Sequence, residues 1–275
     1  MLATKKRKLA YREAGAGFPL LFGHSFLWDA DMWAPQVAYF RDNFRCITPE
    51  IWGHGLSPML NESQYTMGKL AEDHNALLET INCETCAVIG LSVGGMWAVH
   101  LTLAHPEKVK ALVLMDTSVD IEPTESRLQY FKMIDLIEQT GYFPEPMVEK
   151  ILPLFFSPTT MEEKPELVNN FKQHLLSMPE DRIQSVITLG RAIFSRESLM
   201  DRLNTIAIPT LIIVGENDQS RPVHESRAMA EAIPNAEFQV VPKAGHIPNL
   251  ERETFVNVIL ENFLNKALVP KLTTN

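Results

Sequence analysis

One short segment of the chain has the residue types that activate a nucleophile. Residues 90–95 read Gly-Leu-Ser-Val-Gly-Gly, between an apolar run at 86–89 and an amphipathic segment at 96–104. A serine at a turn from strand to helix projects from a strained backbone, and glycines on either side remove side chains that would collide there. The N–H of Val93, at the helix start, points to where negative charge develops in acyl transfer. The segment therefore predicts Ser92 as a nucleophile and Val93 as an oxyanion donor.

A serine hydroxyl needs a general base to take its proton, and His246 is the predicted base. Of the eight histidines, His246 lies in a loop at residues 242–248, after the last predicted strand and before the last predicted helix. His24 also follows a predicted strand and is the positional rival. The remaining histidines lie in helical or polar stretches, which favours surface or packing roles.

The acid that orients the base is predicted at Asp218, which follows the apolar run at residues 210–214. The carboxyl ends of parallel strands meet at one sheet edge, so we expect the loops that carry the serine, the acid and the histidine to converge. A lone aspartate in such a loop is usually a turn former, but here three loops each supply a different member of one set. Asp116, after the preceding predicted strand, is the second candidate for the acid, and Glu216 is a weaker one.

Short apolar runs alternate with amphipathic segments along the chain, which predicts an α/β fold. Runs of this kind without polar alternation are typical of strands buried on both faces of a parallel sheet. Strands that alternate with helices indicate a mostly parallel sheet with helices on both faces. The runs lie at residues 19–22, 44–48, 86–89, 111–115, 210–214 and 238–241.

One interval interrupts this alternation. Residues 119–204 contain no convincing strand, and their closely spaced prolines favour several short helices joined by turns. The interval is too long to be a loop. We therefore expect a helical cap at residues 119–204, inserted into a core domain formed by residues 1–118 and 205–275. Phe131, Met133, Phe143, Phe155 and Phe156 either line an acyl pocket or form the cap's own core.

With these residues assembled, the chain resembles the α/β-hydrolase family. The order Ser92, Asp218, His246 is the order of that family's triad, and residues 90–95 resemble its nucleophile elbow. Residues 49–57, which read Pro-Glu-Ile-Trp-Gly-His-Gly-Leu-Ser, resemble its Gly-His-Gly loop. The match covers nearly the whole chain outside the predicted cap.

The same resemblance implies where the oxyanion is bound. Residues 22–26, Phe-Gly-His-Ser-Phe, resemble the family's His-Gly oxyanion segment, which implies that the N–H of Phe26 acts beside that of Val93. Ser25 replaces the glycine that usually follows the histidine, so the backbone there has less freedom. This departure leaves the predicted triad untouched.

The chain is similar to small-molecule carboxylesterases and, nearly as much, to 3-oxoadipate enol-lactonases. This resemblance implies a serine hydrolase that cleaves a small carboxylic ester through an acyl-enzyme, without a metal or organic cofactor. A lactone hydrolase similar to the enol-lactonases is the alternative within the family. A small-ligand receptor with little turnover is the alternative of another class.

The composition narrows the class of partner. A net charge of −9 argues against nucleic acid, because phosphate backbones require a basic surface. No run of 18 apolar residues predicts a membrane span, and the basic N-terminus lacks the apolar run of a secretory signal. The three cysteines suit a reducing compartment, and the Cys83–Cys86 pair is interpreted as structural. We expect a cytoplasmic protein with a small-molecule substrate; the sequence leaves formation of a homo-oligomer open.

Overall fold

A seven-stranded sheet organises the chain in a computed structural model that describes residues 8–60, 62 and 64–268. The strand order is β1-β3-β2-β4-β5-β6-β7. Only the pairing of β1 with β3 is antiparallel, and the five other pairings are parallel. The strands are β1 Tyr11–Ala14, β2 Phe18–Gly23, β3 Phe44–Pro49, β4 Cys86–Leu91, β5 Val109–Met115, β6 Thr210–Gly215 and β7 Glu237–Val241.

The predicted parallel sheet is confirmed, and each of the six apolar runs lies in a strand. In β4 and β6 every residue is buried, because helices cover both faces of the sheet. Successive side chains point to opposite faces, so Ile89 enters one hydrophobic core while Val88 enters the other. Each fully buried side chain of this size contributes about 1.5–3 kcal/mol. The sheet is therefore a rigid platform for the loops at its edge.

Helices connect the strands and cover both faces of the sheet. Two short 3₁₀ helices, Ala30–Trp33 and Met200–Thr205, accompany them. Among the described residues, none of the helices is long and apolar enough to cross a membrane. The helices are α1 Ala34–Phe40, α2 Met67–Thr80, α3 Val93–Ala104, α4 Thr124–Thr140, α5 Glu145–Phe155, α6 Pro158–Glu163, α7 Pro165–Leu176, α8 Glu180–Phe194, α9 Val223–Ala232, α10 Pro248–Glu251 and α11 Glu253–Leu268.

Five of these helices, α4 to α8, fill the interval between β5 and β6. Several of the prolines there mark helix starts: Pro144 and Pro179 are N-caps, and prolines occupy the first turns of α5, α6 and α7. Proline is tolerated there because the first N–H groups of a helix have no partner within it. The two ends of the interval meet, since the N–H of Leu199 donates to the carbonyl of Val119 at 2.8 Å.

The three cysteines are free thiols buried in the fold. Cys86 begins β4 and Cys83 precedes it, so the pair lies at the start of a strand and not at a helix N-terminus. A helix N-terminus is where a redox pair of this spacing usually lies. The structural interpretation of the pair therefore stays the preferred one.

Candidate active site

Ser92 lies between β4 and α3 with the dihedral angles φ 57° and ψ −119°. A non-glycine residue rarely adopts this conformation, and the surrounding structure must hold it there. The neighbouring glycines leave the space for it: a Cβ on Gly94 would lie 2.1 Å from the carbonyl oxygen of Gly23, and one on Gly90 would lie 2.4 Å from Gly94. Close packing around the turn therefore requires glycine at both ends of the Gly-x-Ser-x-Gly pattern.

His246 and Asp218 are joined directly. Nδ1 of His246 lies 2.8 Å from Oδ2 of Asp218, and both side chains are buried. The other carboxylate oxygen accepts the N–H groups of Ser220 at 2.8 Å and Arg221 at 3.0 Å. Because an ionised carboxylate only accepts, Nδ1 carries the proton and Nε2 is left as the basic nitrogen. The loop of His246 is itself fixed, since its N–H donates to the carbonyl of Phe155 at 2.9 Å.

Ser92 and His246 line one cavity of about 90 Å³ beneath the helices of the 119–204 interval. Its walls are mainly apolar and come from both the sheet edge and these helices. Met133, Phe143 and Phe155 line it, whereas Phe131 and Phe156 do not. Three of the five residues therefore face the cavity, and Phe156 lies in the hydrophobic core instead.

The loop after β2 brings Phe26 to the same cavity. Within the described part of the chain, the N–H groups of Phe26 and Val93 donate to no backbone carbonyl. The next residue, Leu27, has φ 67° and donates its N–H to Nε2 of His54 at 3.2 Å. The side chain of His54 thus holds the turn that follows Phe26.

Residues 19–253 match the family model described as the α/β hydrolase fold. The chain belongs to the α/β-hydrolase fold family. It is 24% identical over 247 residues to 3-oxoadipate enol-lactonase 2 of Acinetobacter baylyi, covering 90% of this chain and 88% of that protein. Among solved structures, a thermophilic esterase from Thermogutta terrifontis has a TM-score of 0.86 at 29% identity, covering 94% of this chain and 93% of the other.

A second solved structure is the enol-lactonase from Burkholderia xenovorans, with a TM-score of 0.85 at 25% identity. The match covers 96% of this chain and 98% of that one. The predicted resemblance to esterases and enol-lactonases is confirmed, and the chain is a hydrolase.

His24, the rival base, does not line this cavity. Its Nε2 accepts the N–H of Ile51 at 2.9 Å, and its Nδ1 lies 2.8 Å from the carbonyl oxygen of Ser25. His54 is held likewise between Leu27 and the carbonyl of Trp52. Burial lowers the pKa of His24 to about 4 and that of His54 to about 3. Both are neutral, and their hydrogen bonds hold the loop after β2, a role that their positions in the sequence did not indicate.

Ser25, the residue in place of the usual glycine, is fully buried. Its N–H points to Sδ of Met32 at 3.2 Å, while its hydroxyl has no hydrogen-bond partner among the described residues. A buried hydroxyl without a partner costs about 1–3 kcal/mol. The substitution therefore introduces a local cost into the loop that carries Phe26.

Buried charges connect the loop of the acid to both ends of the helical interval. Glu122, just before α4, pairs with Arg196 after α8 at 2.8 Å and with Arg221 at 2.5 Å. Arg221 also lines the cavity and donates its N–H to Asp218. No local sequence signal links these residues, because they are far apart in the chain.

Asp116, the second candidate acid, lies next to Asp218. One nitrogen or oxygen of each of Asp116, Asp218 and His246 lies within 4.8 Å of the others. In the described part of the chain, this is the one group of such side chains close enough to suggest a metal site. The 2.8 Å hydrogen bond between His246 and Asp218 already occupies two of these atoms, which suits proton transfer better than metal binding.

Proposed function

We propose that the protein hydrolyses small carboxylic esters, with Ser92 as nucleophile, His246 as general base and Asp218 as the acid that orients it. The observation that supports this most is the 2.8 Å contact of Nδ1 of His246 with Asp218, in a cavity that Ser92 also lines. The contact fixes the tautomer in which Nε2 can accept a proton.

In this mechanism His246 removes the Ser92 proton as the hydroxyl oxygen attacks the ester carbonyl. The N–H groups of Phe26 and Val93 donate to the oxyanion of the tetrahedral intermediate. His246 then protonates the leaving alcohol, and a water molecule, activated by the same base, releases the acid. Loss of a single donor from such a site typically costs on the order of 10²–10³ in kcat.

The walls of the cavity favour an apolar acyl group. Met133, Phe143 and Phe155 line the same cavity as Ser92, and most of the other residues that line it are apolar. We propose that residues 119–204 act as a cap that selects the substrate, since Met133 lies in α4, Phe155 in α5 and Phe143 in the connection between them.

Lactone hydrolysis is the second candidate, since the curated relative and one structural neighbour are named enol-lactonases. A lactone is a cyclic ester, so the same nucleophile and oxyanion donors serve both substrates. The two reactions differ in the leaving group, which stays attached to the acyl-enzyme when a lactone opens.

The decisive test is steady-state hydrolysis of p-nitrophenyl acetate and butyrate, with a lactone panel beside them. Ser92→Ala is expected to lose turnover by about 10⁴-fold or more. Ser195→Ala is the matched control, because the hydroxyl of that exposed serine donates to the carbonyl of Arg191 and Ser195 does not line the cavity. Turnover that survives in Ser92→Ala contradicts the proposal.

A fluorophosphonate probe separates the remaining alternatives. Labelling of Ser92, located by peptide mass spectrometry, together with ester turnover supports an esterase. Labelling with turnover of lactones alone supports the lactonase. Labelling without turnover of either substrate supports a ligand receptor and contradicts the proposed hydrolysis.

A further inference from the structure

Asp116 is a fully buried acid immediately beyond β5. Its Oδ1 accepts the N–H of Gly215 at 2.7 Å, and its Oδ2 accepts no hydrogen bond from a donor in the described part of the chain. Its backbone has φ 46°, in the left-handed region. One carboxylate oxygen of Asp116 lies within 4.8 Å of one of Asp218. A buried acid in a strained conformation beside the acid of the proposed triad calls for a physical account.

The titratable side chains around Asp116 include the acids Asp218 and Glu251 and the imidazole of His246, whose Nδ1 is hydrogen-bonded to Asp218. The oxygens of Glu251 are occupied by donors of its own, including the N–H groups of Ser157 and Gly245. Two ionised carboxylates this close together and out of water repel strongly, so one proton is shared by the pair.

The proton belongs on the acid with fewer donors. Asp218 accepts three: Nδ1 of His246 and the N–H groups of Ser220 and Arg221. Asp116 accepts one, from Gly215. Donors stabilise the charged form of a carboxylate, so Asp218 keeps its charge and Asp116 holds the proton. Burial, followed by the charge of Asp218, accordingly raises the pKa of Asp116 well above its usual value.

We propose that Asp116 is a positioning residue whose protonated carboxyl donates a hydrogen bond to Asp218. The bond holds the Asp218 carboxylate in line with Nδ1 of His246 and gives it a fourth donor. The catalytic consequence rests on the proposed function, whereas the protonation state of Asp116 does not. Asp116 is thus a support of the acid that contacts the imidazole and does not replace it.

The variant Asp116→Asn tests the protonation state through the pH dependence of kcat/KM. An asparagine keeps an acceptor for Gly215 and a donor for Asp218, and it tolerates left-handed backbone. If Asp116 is neutral, the substitution changes no charge, and the acidic limb of the profile stays in place with kcat within about threefold. A shift of that limb to lower pH by roughly 1–3 units would mean that a negative charge was removed, and would overturn the proposal.

The variant Asp116→Ala removes the donor as well. We expect kcat to fall about 10- to 100-fold with KM unchanged, because the acid loses its alignment and the acyl pocket does not. Recovery of activity in Asp116→Asn separates this loss from general disruption of the fold. An Asp116→Ala enzyme with the kcat of the wild type would contradict the positioning role.

Infrared spectroscopy tests the proton without using activity. The difference spectrum of wild type minus Asp116→Asn at neutral pH should contain the carbonyl band of a protonated carboxylic acid, which shifts in D₂O. A carboxylate band in its place overturns the proposal. This readout decides the protonation state even if the wild type hydrolyses no ester, so failure of the proposed function and failure of this inference are distinguishable.

Discussion

Replacing the buried His74 by a residue that does not titrate should reduce the sensitivity of the fold to acid. His74 is fully buried in α2, its Nδ1 donates to the carbonyl of Leu70 at 2.7 Å, and its ring stacks on Trp97 at 3.7 Å. Its Nε2 has no partner among the described residues. A proton there would gain no acceptor, and burial lowers the pKa of His74 to about 4.

The sign and size of the effect follow from linkage. Because the native pKa of His74 lies below the unfolded value of about 6.5, the unfolded chain binds more protons as the pH falls. The stability associated with the neutral ring is full above about pH 6.5 and is lost progressively down to about pH 4. Between about pH 7.5 and about pH 5 this one side chain lowers the free energy of unfolding by about 2 kcal/mol.

Urea denaturation at the two pH values measures this difference. His74→Gln and His74→Phe each carry their own packing cost, but neither residue titrates. The free energy of unfolding of each variant relative to wild type should therefore rise by about 2 kcal/mol from neutral to acid pH. Trp97→Phe is the matched control, because it weakens the same stacked contact without removing the histidine. A difference between variant and wild type that stays constant with pH would refute the argument.

Three further substitutions test the backbone strain at Ser92, the unpaired hydroxyl of Ser25 and the buried ion pairs of Glu122. Ser92→Gly should have a free energy of unfolding about 1 kcal/mol higher than that of Ser92→Ala. Both variants lack the hydroxyl, but only glycine adopts a φ of 57° without strain. Equal free energies of unfolding from chemical denaturation would count against strain at the turn. Ser25→Ala should raise the free energy of unfolding, measured by thermal denaturation, by about 1 kcal/mol, since the Ser25 hydroxyl has no partner among the described residues. A loss of stability would mean that the hydroxyl is satisfied in solution. Glu122→Gln should destabilise by about 3–5 kcal/mol in urea denaturation, because it leaves Arg196 and Arg221 buried without their shared carboxylate; a cost below about 1 kcal/mol would show that water reaches the network.

Local patterns in the sequence predicted the sheet and the position of its loops. The apolar runs predicted parallel strands because a strand covered on both faces carries no polar alternation. The strand β1, Tyr11–Ala14, was missed because it is a short and mostly exposed edge strand paired antiparallel to β3. Its residues lack the apolar run that marks the others.

The prediction of helices at residues 119–204 also rests on a local pattern. Prolines predicted short helices between residues 119 and 204, and helices α4 to α8 fill that interval. The division of the chain into a core domain and a cap stays a prediction. Helical spacing does not show which of these residues line the cavity, because it does not show which neighbour a helix face will meet. Phe143 faces the cavity, while Phe131 lies near the guanidinium groups of Arg127 and Arg191.

From the sequence alone we could predict which polar residues follow the strands and why glycines flank Ser92. Both predictions are possible because steric limits and strand periodicity act over a few residues. Only the tertiary structure decided that a carboxylate oxygen of Asp116 lies within 4.8 Å of one of Asp218, and that His24 and His54 accept backbone N–H groups of Ile51 and Leu27. Those assignments depend on contacts between segments distant in the chain. Protonation and hydrogen-bond roles follow from burial and neighbours, which exist only once the chain has folded.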